Sequence, residues 1–116
     1  DFITIVDLNN IDTVFVDEGQ FFPDLKDGVL RLVEEFNCNV IVVGLDGDFN
    51  RNKFGQILDL IPYCDTCIKI SALCKICNDG TPAIFSHRIS NNDNQVLVGT
   101  DMYQSLCRKH YLELNR

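Results

Sequence analysis

The pairs Cys74-x-x-Cys77 and Cys107-x-x-His110 are the residues of this chain whose types and spacing point most directly to chemistry. Zinc takes four thiolate or imidazole ligands in a tetrahedron, and two residues between ligands let one tight turn present both. Two such half-sites, with Cys77 and Cys107 30 residues apart, describe a zinc-ribbon staple around the segment between them. Four protein ligands leave no open position, so the predicted role of the metal is structural. Free thiols or a redox pair are the plainer alternative. His110 is the softest member, since a lone histidine is often a surface residue; its CxxH spacing from Cys107 is what singles it out.

A second set is acidic. Val14-Phe15-Val16-Asp17-Glu18 is an apolar run ending in two acids, the shape of a Walker B strand. In phosphoryl-transfer sites of that kind the first acid holds the magnesium shell. The second sits beside the reacting phosphate as base or water-orienter. An acidic turn after any strand has the same letters, so this motif is only moderately specific alone.

Other residues carry weaker signals. Cys64 and Cys67 form another CxxC, but Cys67 lies in or next to the apolar run 66–70, where cysteine serves as a small buried hydrophobe. A metal or redox role is the second reading there. Cys38 reads as a buried or turn residue. Phe21, Phe22, Phe49 and Phe54 would ordinarily be core. All four, however, lie in loops facing a candidate ligand edge, and a flat nucleobase needs aromatic walls.

The elements that must position these residues follow from periodicity. Residues 13–16 predict a buried strand running into the polar loop 17–22. Asp24 is a candidate N-cap for an amphipathic helix over 24–36, with Leu25, Val29, Leu32, Val33 and Phe36 on one side despite Gly28 in the middle. Residues 40–44 predict a second strand. Strand, helix, strand with unbroken apolar strands is the pattern of a parallel sheet covered on both faces. The loop 45–54 leaves the same end of that sheet, where ligands gather in open α/β folds. Further on, 53–61 predicts a helix ended by Pro62, 66–70 a third strand, and 83–89 with 95–99 a β-hairpin whose tip is Ser90–Asn94.

The 116 residues bound one domain, or one small domain with an appendage. With 46% hydrophobic and 23% charged residues the chain is globular. A net charge of −7 argues against a general nucleic-acid binder. No apolar run reaches membrane-spanning length and the start has no signal-peptide basic region, so no membrane partner and a cytoplasmic setting are expected. Six cysteines in a reducing compartment read first as metal ligands. The start, Asp1-Phe2-Ile3-Thr4, looks abrupt, as though an upstream part were missing.

With these residues assembled, Asp17-Glu18-Gly19-Gln20-Phe21-Phe22-Pro23-Asp24 resembles the catalytic segment of type II (cytosolic-type) thymidine kinases. Leu45-Asp46-Gly47-Asp48-Phe49-Asn50-Arg51-Asn52-Lys53-Phe54-Gly55 resembles the loop that follows in eukaryotic and poxviral members. The CxxC, the hairpin, Asp101-Met102-Tyr103 and Cys107-Arg108-Lys109-His110 resemble the family's zinc-held lasso, in the same order. The resemblance runs from about Asp12 to Tyr111. It implies an α/β fold with a P-loop-type parallel-sheet core (its Walker B half) over 1–70, then a small zinc-ribbon/lasso subdomain over 71–116.

The resemblance further implies ATP- and Mg-dependent phosphorylation of the 5′-hydroxyl of thymidine, a deoxynucleoside-salvage step that supplies DNA precursors. It makes Glu18 the general base and Asp17 the Walker B acid of the Mg·ATP site. Phe21, Leu45, Phe49 and Phe54 correspond to walls around the thymine and deoxyribose. Ser86, Val96 and Tyr103 complete the pocket, and Cys74, Cys77, Cys107 and His110 hold structural zinc. A homotetramer and feedback inhibition by thymidine triphosphate are implied in the same way. Two departures stand out: no glycine begins a GxxxxGK[ST] loop, so this chain alone is expected to be inactive, and the lasso differs slightly in length around Asp79–Pro82.

Three other readings compete. A non-catalytic zinc-ribbon interaction module on a degenerate nucleotide fold predicts zinc without thymidine binding. A helicase-like ATPase fragment shares Asp-Glu-x-Gln, but the acidic charge and the closing zinc half-site count against it. A thiol redox protein would place its CxxC at a helix start with no distant partner pair.

Overall fold

The computed structural model describes residues 10–89, 94–96 and 102–116. The chain divides into two compact units, one of Asp1–Asp46 and Lys53–Cys67, the other of Gly47–Asn52 and Ile68–Arg116.

In the first unit, β-branched and aromatic residues make β1 (Thr13–Val16) and β2 (Asn39–Val42). They pair in parallel, Val14 opposite Val40 and Val16 opposite Val42, with α1 (Leu25–Glu34) as the crossover. The predicted helix is present but shorter at its C-terminal end. Asn37 adopts φ +54°, and the Cys38 amide turns back to the Leu32 carbonyl at 2.9 Å, which closes the helix before Phe36 can join it. Asp24 occupies the N-cap position without a side-chain cap bond.

Leu25 and Val29 pack with Val16 and Leu60 against Val14, Val40 and Val42, so the alternate residues of both strands face the helix. The other sheet face departs from the doubly covered sheet the sequence predicts. Phe15 is 73% exposed, Ile41 46% and Val43 53%, because among the described residues the packing of α1 and of Leu60 is on the opposite face.

The helix predicted over 53–61 is replaced by turns and a 3₁₀ segment, Leu58–Tyr63, with Pro62 inside it. The Phe54 amide is taken by the Asp46 carbonyl at 3.0 Å, and Gly55 lies at φ +58°, so a right-handed helix cannot begin before Gln56. Too little chain then remains before proline, and only i→i+3 bonds form, Leu60 to Ile57 among them. The strand predicted over 66–70 is also not formed. Ile68 and Ile70 are exposed, and among the described residues no neighbour pairs with them. Cys67, expected to be buried there, is exposed with Cys64.

In the second unit, β3 (Ala72–Leu73) pairs antiparallel with β4 (Pro82–Ala83) around the first CxxC turn. Next, β5 (Phe85–Arg88) pairs antiparallel with β6 (Tyr103–Leu106), and α2 (Arg108–Asn115) follows. The partner of β5 is therefore 103–106, where the sequence pointed to 95–99. Gln95 and Val96 are not in a strand, and 97–99 lie outside the described residues, as do Ser90–Asp93 of the predicted tip and the start 1–9. The core gathers Ala83, Leu106 and Tyr111 around Cys74 and Cys107. Ser105 ties β3 to β6 by donating to the Leu73 carbonyl at 2.7 Å.

Gly55 combines its positive φ with contact to the Gln20 main chain, into which an added Cβ would collide. Gly55→Ala should therefore lower stability in urea unfolding by on the order of 2 kcal/mol or more. Gly80→Ala, at φ +91° with open space around it, should cost only about 1 kcal/mol.

Candidate functional site

The acidic pair stands at the C-terminal end of β1. Asp17 turns one oxygen back to accept the Glu18 amide at 2.9 Å. Glu18 itself adopts φ +51°, ψ +47°, a left-handed conformation that a side chain with a Cβ takes at a cost. The next turn, Gly19–Phe21, is anchored to the sheet: the Gly19 amide donates to the Val43 carbonyl at 3.0 Å. The chain is thereby bent sharply at Glu18, and both acids are exposed at the strand end.

What holds the Glu18 carboxylate is a residue the sequence reading passed over. Gln20 is 5% exposed; its Nε2 donates to Glu18 Oε2 at 2.7 Å and its Oε1 accepts the Leu45 amide at 3.1 Å. One buried side-chain amide thus sets the carboxylate against the loop after β2. The only sequence signal was a polar residue inside a predicted ligand loop.

Of the residues assigned to the base and sugar, Phe21, Leu45 and Phe54 lie in the first unit. Phe21 and Leu45 are each 48% exposed, whereas Phe54 is buried and meets Phe21 edge-on with ring centroids 5.7 Å apart. Phe22, by contrast, joins the core around Leu25. Phe49, Ser86, Val96 and Tyr103 lie in the second unit. Ser86 is half-buried on β5 opposite Ser105, Val96 is exposed, and Phe49 and Tyr103 are half-buried.

The second unit also holds the sulfur cluster. Cys74 and Cys77 flank a turn closed by the Asn78 amide on the Cys74 carbonyl and by the Cys74 amide on the Thr81 carbonyl. Cys107 precedes α2 and His110 lies in its first turn, so the strand-to-helix corner brings both inward. His110 Nδ1 is 3.3 Å from the sulfurs of Cys77 and Cys107 and 3.6 Å from that of Cys74, and Cys77 Sγ is 3.8 Å from Cys107 Sγ. A tetrahedron with zinc–sulfur bonds of about 2.3 Å requires sulfurs about 3.8 Å apart and sulfur–nitrogen edges of about 3.6 Å. The four residues fit zinc, and Cys38, Cys64 and Cys67 lie outside the cluster.

Electrostatics of the bare cluster favour a shared cation. Burial opposes the Cys74 thiolate, but the amides of Cys77, Cys107 and Ile76 and the His110 ring outweigh it and bring this thiol down to about 6. Burial and the neighbouring sulfurs of Cys74 and Cys107 push the Cys77 thiol up to about 11. A divalent cation removes that conflict by compensating several thiolates at once.

The fold and its two sites define a small α/β protein whose second unit is built around a Cys₃His metal-type staple. The chain belongs to the thymidine kinase family, whose profile ("Thymidine kinase") matches residues 1–111. It is 41% identical over 106 residues to a thymidine kinase of Oryza sativa subsp. japonica, covering 90% of this chain and 38% of that protein. It is 40% identical over 105 residues to thymidine kinase a of Arabidopsis thaliana, covering 90% and 43%. To the thymidine kinase of variola virus it is 40% identical over 107 residues, covering 91% and 59%. The chain spans between two- and three-fifths of the length of these curated relatives. Among the described residues no helix is long and apolar enough to cross a membrane.

Metal binding at neutral pH must displace the proton of Cys77, whose thiol is pushed up to about 11, so the affinity for metal should fall as the pH is lowered. Calorimetry should therefore show zinc uptake releasing protons, read from the dependence of the heat on buffer ionisation. Metal analysis should give about one zinc per chain. Cys77→Ser and His110→Ala should lose the metal, and Cys64→Ser should retain it.

Proposed function

We propose that this chain carries the acceptor side of an ATP- and Mg-dependent thymidine kinase, transferring the γ-phosphoryl group to the 5′-hydroxyl of thymidine. The observation that carries the reading is Glu18: an exposed carboxylate in a strained conformation at a parallel-strand end, fixed by the buried amide of Gln20. A carboxylate held this way accepts the hydroxyl proton as the oxygen attacks phosphorus, at no cost of reorganisation during the step. Asp17, the preceding acid, contributes to the magnesium shell of ATP. Positioning and the magnesium ion supply most of the rate in such transfers.

Phe21, Leu45, Phe49, Phe54, Ser86, Val96 and Tyr103 are the residues proposed to recognise thymidine, and zinc at the four-residue cluster stiffens the lasso that contributes Ser86, Val96 and Tyr103. Zinc supplies no chemistry to the transfer; it fixes backbone, without which hydrogen-bond discrimination between bases fails. The family relationship supports a homotetramer, feedback inhibition by thymidine triphosphate and a cytoplasmic location as parts of the same reading.

In the full-length, zinc-loaded protein, Glu18→Gln should lower kcat for thymidine by roughly 10² to 10⁴-fold with thymidine affinity retained, since the amide cannot take the proton. Calorimetry with thymidine, using cytidine as control, checks the binding half. Zinc at one per chain with no thymidine binding in the full-length protein would replace the kinase with a non-catalytic zinc-ribbon module.

A further inference from the structure

One buried charge in the second unit has no part in the proposed phosphoryl transfer. Arg88, at the end of β5, is 6% exposed. Its guanidinium donates to the main-chain carbonyl of Asn94, to that of Gln95 at 3.0 Å and to the Tyr103 hydroxyl at 2.6 Å. The same group lies over Phe49, its central carbon 3.8 Å from the ring centroid. Gln95 then passes the connection on, its side chain donating to Asp48 Oδ2 at 2.9 Å. Asp48 is itself 8% exposed, and its Oδ1 accepts the amides of Asn50 and Asn52, both at 2.9 Å. The loop 47–52 is also held from the far side, where Tyr111 donates to the Phe49 carbonyl at 2.6 Å.

We propose that Arg88 is the positioning residue of nucleoside recognition: its fork and its planar face lock Phe49, Tyr103 and the main chain at 94–95 into one rigid surface. This rests on the thymidine kinase reading above. The chemistry explains why arginine is needed. A guanidinium reaches several acceptors in its own plane while its face stacks on an aromatic ring; a lysine ammonium is a point charge that does neither together. There is a second effect on Tyr103. Arginine has no acceptor, so the Tyr103 oxygen takes the hydrogen bond and its own O–H proton is directed elsewhere, making Tyr103 a donor towards a ligand hydroxyl or carbonyl. With the guanidinium over one face of Phe49, the opposite face is the one this proposal assigns to a planar base.

The test uses Arg88→Lys and Arg88→Met in the full-length, zinc-loaded protein, assayed with thymidine and Mg·ATP. Both variants should raise KM for thymidine by about tenfold or more with kcat at saturation kept within a few-fold, and lysine should not rescue. Zinc content and the cobalt-substituted spectrum of the Cys₃His cluster should stay as in the unaltered protein, which separates positioning from misfolding. Unchanged KM in both variants, equal loss of kcat and kcat/KM with KM unchanged, or full rescue by lysine would each overturn the proposal. If the unaltered protein binds no thymidine, the kinase reading fails instead, and hydrogen exchange decides the clamp alone. The Asn50 and Asn52 amides should then exchange about tenfold faster in Arg88→Met, and unchanged exchange there overturns it.

Discussion

Four side chains that oppose one another when bare hold the second unit in place. Cys74 and Cys77 come from a turn between two-residue strands, too short to persist without support, and Cys107 and His110 from a strand-to-helix corner. Bringing three thiols and an imidazole within 4.8 Å of one another costs free energy unless a cation is shared among them. Once shared, it connects β3, β4, β6 and α2 at a single point. The small apolar core of Ala83, Leu106 and Tyr111 then needs only to pack around it. Ser86 on β5 and Tyr103 on β6, two of the residues proposed for recognition, lie on paired strands, and β6 runs directly into Cys107.

The first unit solves a different problem by a different means. A negative charge is presented at a strand end, where Glu18 accepts from a side chain that carries no charge. A buried neutral amide does the holding: Gln20 donates to the carboxylate and accepts from the next loop, so both of its polar ends are satisfied. The strained Glu18 backbone is tolerated because the adjoining turn is tied to the Val43 carbonyl. In one unit rigidity would come from a shared cation, in the other it comes from a buried amide bonded at both ends.

Local signals in the sequence carried far here. The strands 13–16 and 39–42, the helix between them and the zinc spacing were legible because each is set by periodicity or by ligands only two residues apart. The misreadings share a cause, which is that partners distant in sequence decide the outcome. Residues 53–61 carry helical spacing, yet the tie from Phe54 to Asp46 and the left-handed Gly55 remove the helix start. Residues 66–70 look like a strand, but a ladder needs a neighbour. The pairing of β5 with 103–106 was not legible, because Tyr-Gln-Ser-Leu carries no alternation that would mark it as a strand. Gln20 and Arg88 were overlooked for a related reason, since nothing in the letters marks a polar residue as buried.

The glycines around Gln20 have an evolutionary consequence. A side chain at Gly44 would meet the Gln20 amide oxygen, one at Gly55 the Gln20 main chain, and one at Gly19 the side chains of Ile57 and Val42. Of the three, Gly44 is the one that makes room for the Gln20 side chain itself, while Gly55 clears its main chain and Gly19 the core beside it. A side chain at Gly44 would displace the amide and with it the Glu18 carboxylate, so a change there should be accompanied by a change at Gln20. The orientation of the acid is thus inherited in part as a vacancy, and a substitution that the surrounding core tolerates can still turn the carboxylate away.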